Sequence, residues 1–179
     1  ANTSVTRLDL SHNLIGGNAS SGRRDGGAVL ADMLKENTTL LSVNLAWNHV
    51  ARRSAVAVGR ALEVNDALTE LDVSYNAFGD EGAQRCGWAL RVNTTLRALN
   101  LSHNCVSDRA AIVIAGALRS RRGLPLALKL RGNPLGAHGG RALLRLLSSA
   151  ACASTELQLN DCTFDQAGSF DVEAQAADD

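Results

Sequence analysis

The chain repeats one pattern of apolar and polar positions, LxxLxLxxNxL, in which apolar residues alternate with polar ones just before a turn residue. The pattern occurs six times. The alternation predicts a short strand in each copy, near residues 6–10, 42–46, 70–74, 98–102, 127–131 and 156–160. The turn residue is asparagine in five copies and cysteine in the sixth: Asn13, Asn48, Asn76, Asn104, Asn133 and Cys162.

A helical pattern follows each predicted strand. Seven residues after the turn residue, apolar and small side chains begin to recur at the i, i+3, i+4, i+7 spacing of one helix face. In the second to fifth copies they are Ala55, Val58, Gly59, Leu62; Ala83, Cys86, Gly87, Leu90; Ala111, Ile114, Ala115, Leu118; and Gly140, Leu143, Leu144, Leu147. Asp80 and Asp108 lie three residues ahead of their stripes, where we expect them to cap the helices.

The first repeat is longer than the others. Its turn residue and the next one are 35 residues apart, whereas the later spacings are 28, 28, 29 and 29 residues. A glycine- and serine-rich run between Asn13 and Gly27 accounts for the excess. Such a composition predicts a surface loop, which we assign to about residues 16–26.

These patterns predict an α/β solenoid of about six strand-and-helix units. One unit cannot bury its own apolar face, so neighbouring units must stack. Strands pair at about 4.8 Å whereas helices pack at about 8–10 Å, so we expect a curved horseshoe with a parallel inner sheet and outer helices. We assign residues 1–164 to this repeat domain. Residues 165–179 hold five acids and no lysine or arginine, and form an acidic C-terminal tail or a degenerate cap.

Composition narrows the classes of function. The formal net charge is zero, so no overall field favours nucleic acid or an anionic membrane surface. No apolar run reaches the ~18 residues that a membrane-spanning helix needs. The four cysteines lack the CxxC spacing and the terminal clusters that indicate metal sites or stapled secreted domains. We therefore expect a cytoplasmic protein with reduced thiols that binds neither nucleic acid nor membrane.

The segment LTELDVSYNAFGDEGAQRCGWALRVNTTLRALNLSHN, at residues 68–104, resembles the ribonuclease-inhibitor-like class of leucine-rich repeat proteins. The GDEGA start of a helix and the NTTL return carry the likeness, which extends over nearly the whole chain. The resemblance implies an intracellular, protein-binding role. Similar repeats serve in NOD-like receptors, in the Ran GTPase-activating protein, in actin-capping tropomodulin and in ciliary axonemes, so the likeness does not choose among these.

Two columns of residues are predicted to line the inner face, because side chains alternate across a strand. One column lies four residues before the turn residue: Asp9, Asn44, Asp72, Asn100, Lys129 and Gln158. The other lies one residue before it: His12, Trp47, Tyr75, His103, Gly132 and Asp161. Aromatic rings are favoured at interface hot spots, so we predict that the residues of both columns in the first four repeats, with Lys129 and Arg131, bind a protein partner. The alternative is that the rings only cover the strand edge and hydrogen-bond one another.

The turn residues themselves receive a structural interpretation. An asparagine side chain can bond backbone groups at a turn, and a column of them would form a ladder along the edge of the sheet. We expect Cys162 to take the same place in the sixth repeat.

Nothing in the sequence indicates catalysis, a cofactor, a metal site or a small-molecule substrate. His12 and His103 lie three repeats apart, too far to share a metal ion. Two other hypotheses stay open. Arg52 and Arg53 lie in a predicted loop, where the resemblance to the Ran activator implies help in GTP hydrolysis. A basic group near the fourth and fifth repeats could meet nucleic acid, although it lacks interleaved aromatics: Arg119, Arg121, Arg122, Lys129 and Arg131.

We therefore expect a non-catalytic scaffold that holds a protein partner inside a larger cytoskeletal assembly. An axonemal or other cytoskeletal complex is the setting we favour, over a regulatory sensor arm of the NOD-like receptor type and over a GTPase activator of the Ran type. This preference rests on the family resemblance.

Overall fold

The computed structural model describes residues 4–16, 25–121, 125–147, 155–164 and 169–170. Six strands and five helices alternate along the chain. The strands are β1 (Arg7–Asp9), β2 (Ser42–Asn44), β3 (Glu70–Asp72), β4 (Ala98–Asn100), β5 (Leu126–Lys129) and β6 (Thr155–Gln158). The helices are α1 (Gly26–Glu36), α2 (Arg52–Val64), α3 (Gly79–Val92), α4 (Asp108–Ser120) and α5 (Gly136–Leu147). Two short strands, β7 (Cys162–Thr163) and β8 (Ser169–Phe170), pair antiparallel after the last repeat.

The six strands form one parallel sheet in sequence order, which confirms the predicted architecture. Equivalent residues pair across the sheet, so that Val43 lies opposite Leu71 and Leu71 opposite Leu99. Each regular strand is three or four residues long and ends before the predicted boundary. Just before each turn residue, a residue with positive φ then bends the chain out of the extended conformation.

Leucine, valine and alanine fill the space between the sheet and the helices. The strand leucines Leu71, Leu99 and Leu128 are at most 2% exposed. Small residues on the helix stripes let neighbouring helices approach closely. A Cβ atom added at Gly82 would lie 2.7 Å from the Cβ of Ala55, a contact that real structures do not show.

The buried face of α5 differs from the prediction. Leu144 is 41% exposed, whereas Leu146 is buried. In earlier repeats the equivalent position faces the next helix, as Gly59 faces Arg85 of α3 and Gly87 faces Ile114 of α4. No helix follows α5 among the described residues, so the position held by Leu144 is open.

The prediction that Asp80 and Asp108 cap their own helices was wrong, because each binds the start of the following helix. The Asp80 carboxylate accepts hydrogen bonds from the backbone N–H of Ser107 at 2.8 Å and from its hydroxyl at 2.6 Å. Asp108 accepts the N–H of Gly139 at 2.6 Å. Because adjacent helices begin side by side, each carboxylate reaches the start of the following helix and ties two repeats together. In α1, Asp25 caps its own helix through the N–H of Gly27 and also accepts the hydroxyl of Ser54 at the start of α2.

Within the described ranges, no helix has the length and apolar character needed to cross a membrane. Most of the predicted surface loop, from 17 to 24, lies outside the described residues. So does the acidic segment 165–179, apart from the two residues of β8.

Candidate functional site

Four aromatic side chains stack along the edge where the strands end; we call His12, Trp47, Tyr75 and His103 the ring column. Their ring centroids are 5.6 Å, 4.1 Å and 4.2 Å apart in that order, and their planes are within 15° of parallel. All four residues have φ between 53° and 59°, in the left-handed region. This shared backbone conformation, one repeat after another, brings the rings into register.

The ring column is open to solvent. Trp47 is 47% exposed and Tyr75 is 40% exposed. Because Trp47 and Tyr75 have their faces covered by neighbours, they present mainly ring edges, which carry the indole N–H and the phenol O–H. The contacts within the column are ring stacking, whereas the sequence-based alternative was hydrogen bonding.

The column ends at the fifth repeat. Gly132 has φ of 66°, and a Cβ atom there would lie 2.2 Å from the imidazole Cε1 of His103. The imidazole therefore rests against the glycine backbone. In the next repeat Asp161 takes the equivalent place and binds the guanidinium of Arg131 at 2.6 Å. Arg131, a predicted partner contact, thus lies in an exposed ion pair.

The inner-face column is a connected polar surface. In Asp9, Asn44, Asp72 and Asn100 a side-chain oxygen accepts the backbone N–H of the residue two positions on. Neighbours are joined in pairs: the Asn44 amide donates to Asp9 at 3.2 Å, and the Asn100 amide donates to Asp72 at 2.8 Å. The backbone N–H of Ser11 lowers the pKa of Asp9 below its ordinary value. These bonds fix the side chains in place.

A shallow hollow lies over the sheet beside the ring column. It is lined by residues of β2 to β5: Ser42, Val43, Asn44, Glu70, Leu71, Asp72, Ala98, Leu99, Asn100, Ala127 and Lys129. Two carboxylates, from Glu70 and Asp72, lie on its floor, and the exposed Lys129 lies at one end. Of the two predicted inner-face columns, the one four residues before the turn residue therefore lines this hollow from the second to the fifth repeat, and the ring column does not.

The turn asparagines form a hydrogen-bonded ladder behind the ring column. The Asn133 amide donates to the carbonyls of Leu101 and Leu130, and its oxygen accepts the N–H groups of Asn104 and Val106. Asn48, Asn76 and Asn104 make equivalent bonds, and the thiol of Cys162 donates to the Leu130 carbonyl at 3.2 Å. Asn13, at the first turn, is exposed, and among the described residues its amide donates to the carbonyls of Leu10 and Ser11 in its own repeat.

A second hydrogen-bonded ladder lies at the helix ends and was not predicted from the sequence. Asn65 and Asn93 donate to carbonyls of the preceding repeat and accept backbone N–H groups of their own return turn. Arg121 occupies the next place, and its guanidinium donates to the carbonyls of Leu90, Asn93 and Leu96 at 2.7–2.9 Å. The 28-residue spacing from Asn37 to Arg121 was the available signal. The guanidinium of Arg121 therefore stabilises the fold through these three bonds. We accordingly leave Arg121 out of the group of basic residues considered for nucleic-acid binding.

Two of the cysteines are buried thiols with raised pKa values. Burial raises the pKa of the Cys86 thiol to about 12, and burial likewise raises the pKa of Cys162. Both thiols are therefore protonated near neutral pH and poorly nucleophilic. In the described part of the chain, no three histidine, cysteine, aspartate or glutamate side chains are grouped as metal ligands.

Comparison with known proteins agrees with this architecture. A family model described as Leucine Rich repeat matches residues 1–19, 36–59, 64–85 and 92–115. No curated protein matches the sequence significantly. Among solved structures, Leiomodin-1 Actin-Binding Site 2 (ABS2) aligns with a TM-score of 0.63 at 19% identity, covering 82% of this chain and 81% of that one. At this identity the likeness shows the fold alone. From the repeated strand-and-helix units, the parallel sheet and the four matched segments, we conclude that the chain is a leucine-rich repeat protein.

Proposed function

We propose that the chain is a non-catalytic scaffold whose protein partner binds the ring column and the adjoining inner face. The exposure of Trp47 and Tyr75 within a stacked, ordered column carries the proposal. Large aromatic side chains dominate binding energy at interfaces, and side chains that are already ordered lose little entropy on binding. Stacking on both sides holds each of these two rings in place before a partner arrives.

The partner surface follows from the chemistry of the site. The exposed ring edges favour an apolar segment that carries hydrogen-bond acceptors for the indole and phenol groups. Beside them, Asp9, Asn44, Asp72 and Asn100 offer fixed polar groups, and Lys129 offers a cation. Preorganised polar groups of this kind add specificity more than affinity. A protein surface with apolar side chains and backbone carbonyls at its centre fits this arrangement.

We propose a cytoskeletal assembly as the setting. The structural neighbour, Leiomodin-1 Actin-Binding Site 2, is named as an actin-binding site, and this supports a cytoskeletal partner. Within that class we favour a ciliary axoneme, on the family resemblance. A regulatory sensor arm and a GTPase activator are the alternatives.

Binding to purified cytoskeletal preparations tests the proposal. The labelled chain would be titrated with actin filaments and with isolated axonemal doublets. We expect it to bind at least one of them, and Trp47→Ala with Tyr75→Ala to weaken binding roughly tenfold or more. Val29→Ala is the control, because Val29 is 51% exposed but lies on α1, outside the ring column.

Three results would count against parts of the proposal. Binding to neither preparation would contradict the cytoskeletal setting. Unchanged affinity of the double variant would remove the ring column as the site. Faster GTP hydrolysis by small GTPases in the presence of the chain, lost in Arg52→Ala with Arg53→Ala, would instead support the activator alternative.

A further inference from the structure

The outward side of helices α2 to α5 is strongly basic. Eight arginines are exposed there, against one exposed acid, Glu81, among the helical residues whose side chains the structure describes. The arginines are Arg52, Arg53, Arg60, Arg91, Arg109, Arg119, Arg141 and Arg145. The whole chain has a formal net charge of zero, so this side differs sharply from the average. We call these eight residues the arginine face.

The other acids of these helices make contacts within the repeat stack. Glu63 pairs with Arg85 of the next helix at 2.9 Å. Asp80 and Asp108 accept hydrogen bonds from the following repeat. The carboxylates therefore join neighbouring repeats.

Helix stability does not explain where several of the arginines lie. Arg52, Arg53 and Arg109 are in the first turns of α2 and α4. The positive end of the helix dipole disfavours a cation at that place. Arg91 and Arg119, in last turns, do match the dipole. The charges of Arg52, Arg53 and Arg109 therefore oppose the dipoles of their own helices.

Apolar side chains are interleaved with the arginines. Trp88, Ile112 and Leu144 are between 41% and 47% exposed on the outward side of α3, α4 and α5. A nucleic-acid duplex has phosphates that pair with arginines, but it has no apolar surface that would bury Trp88, Ile112 and Leu144. In addition, a convex protein surface contacts a duplex only along a narrow strip. A protein surface can bury the apolar side chains while its carboxylates pair with guanidinium groups, which bind carboxylate bidentately.

We propose that the arginine face is a second docking surface, which binds an acidic, amphipathic segment of a partner protein. The segment lies across the helices with carboxylates opposite the arginines and apolar residues against Trp88 and Ile112. The arginine face lies on the helices and the ring column lies where the strands end, so the chain has a separate surface for each of two partners. The two proposals stand on different residues and can fail separately.

The test uses the whole chain and a labelled amphipathic helical peptide with glutamate on its polar face and leucine on its apolar face. We expect saturable binding that weakens with salt, and little binding of the same peptide with lysine in place of glutamate. Arg53→Gln with Arg109→Gln should weaken binding roughly fivefold, as expected for two exposed charge contacts. Removing these first-turn cations should not lower the thermal midpoint, so the loss cannot be attributed to unfolding.

Two control variants separate the arginine face from net charge and from the ring column. Arg7→Gln with Arg97→Gln removes the same charge from exposed positions outside the helices, and should change the affinity less than twofold. Trp47→Ala with Tyr75→Ala should bind the peptide as the unaltered chain does. An equal loss in the charge-matched control would overturn the proposal, and so would the absence of binding to the glutamate peptide. Tighter binding of duplex DNA or of phosphatidylserine vesicles would reassign the face to nucleic acid or to membrane.

Discussion

Adjacent residues at the strand-exit edge have opposite environments. Asn48 is 0% exposed and its amide donates to three carbonyls, whereas Trp47, one position earlier, is 47% exposed. A smaller contrast holds for His103, which is half-buried in the ring column, and Asn104, which is fully buried. The positive φ of the ring residue makes the difference, because it turns one side chain outward and the next one under the turn. The buried ladder therefore holds the repeats together, and the ring column is the surface that we propose for a partner.

The largest expected effect is on the buried side of this comparison. Asn133→Ala removes an amide that donates to two carbonyls and an oxygen that accepts two N–H groups. Leaving such groups buried and unpaired should cost about 3–4 kcal/mol of unfolding free energy. Urea denaturation measures it. Asn13→Ala, at an exposed turn, should cost about 1 kcal/mol, and equal losses at both sites would break the comparison.

The helix-end ladder extends the comparison to the other edge of the repeats. Arg121→Ala should cost about 2 kcal/mol, because three carbonyls lose a charged donor that the fold partly buries. Arg119→Ala, two residues away and exposed, should change stability by less than about 0.5 kcal/mol. Thermal unfolding followed by circular dichroism would show the difference. Similar midpoints for the two variants would mean that Arg121 does not replace the ladder asparagine.

Gly132→Ala tests the end of the ring column. The alanine backbone would have to keep the positive φ of Gly132, and its methyl group would displace the His103 imidazole. Together these changes should lower the unfolding free energy by about 1–2 kcal/mol. Gly116→Ala should instead stabilise the chain by about 0.5–1 kcal/mol, because Gly116 is helical and a Cβ atom there meets nothing within 4 Å. Opposite signs in chemical denaturation would support the account. Destabilisation by both would argue against it.

The smallest expected effect is a pH dependence at Asp9. Its folded-state pKa lies below the ordinary value of 3.8, chiefly because the backbone N–H of Ser11 stabilises the carboxylate. The contribution to stability is therefore complete above about pH 4 and lost as the pH falls through the folded-state pKa. We expect a slightly steeper loss of stability below pH 4 in the unaltered chain than in Asp9→Asn. Parallel pH profiles would show that the bond to Ser11 does not stabilise the fold.

Much of the fold could be predicted because the same pattern of apolar and polar positions recurs in each repeat. The alternation around Leu71 and Leu99 and the stripe at Ala83, Cys86 and Leu90 are local patterns, and stacking follows from them. The turn asparagines were recognisable because they recur at nearly constant spacing. Contacts between repeats were harder to foresee: Asp80 and Asp108 have the spacing of caps, and only the neighbouring helix reveals their partner.

The candidate site was predicted in part, for related reasons. Alternation placed Asp9, Asn44 and Asp72 on the inner face, but the left-handed backbone that stacks Trp47 on Tyr75 leaves no mark in residue type. The second ladder was not predicted because its fourth position holds Arg121 and not asparagine. Both side chains donate hydrogen bonds to carbonyls, but a sequence pattern does not show that they are equivalent.

Paired urea denaturation of Trp47→Ala and Asn48→Ala tests the central claim most directly, because the two residues are adjacent and share one turn. We predict that Trp47→Ala costs about 1 kcal/mol, for lost stacking, and that Asn48→Ala costs at least about 2 kcal/mol more. A loss in Trp47→Ala as large as that in Asn48→Ala would make the ring column part of the folding core and contradict its assignment to partner binding.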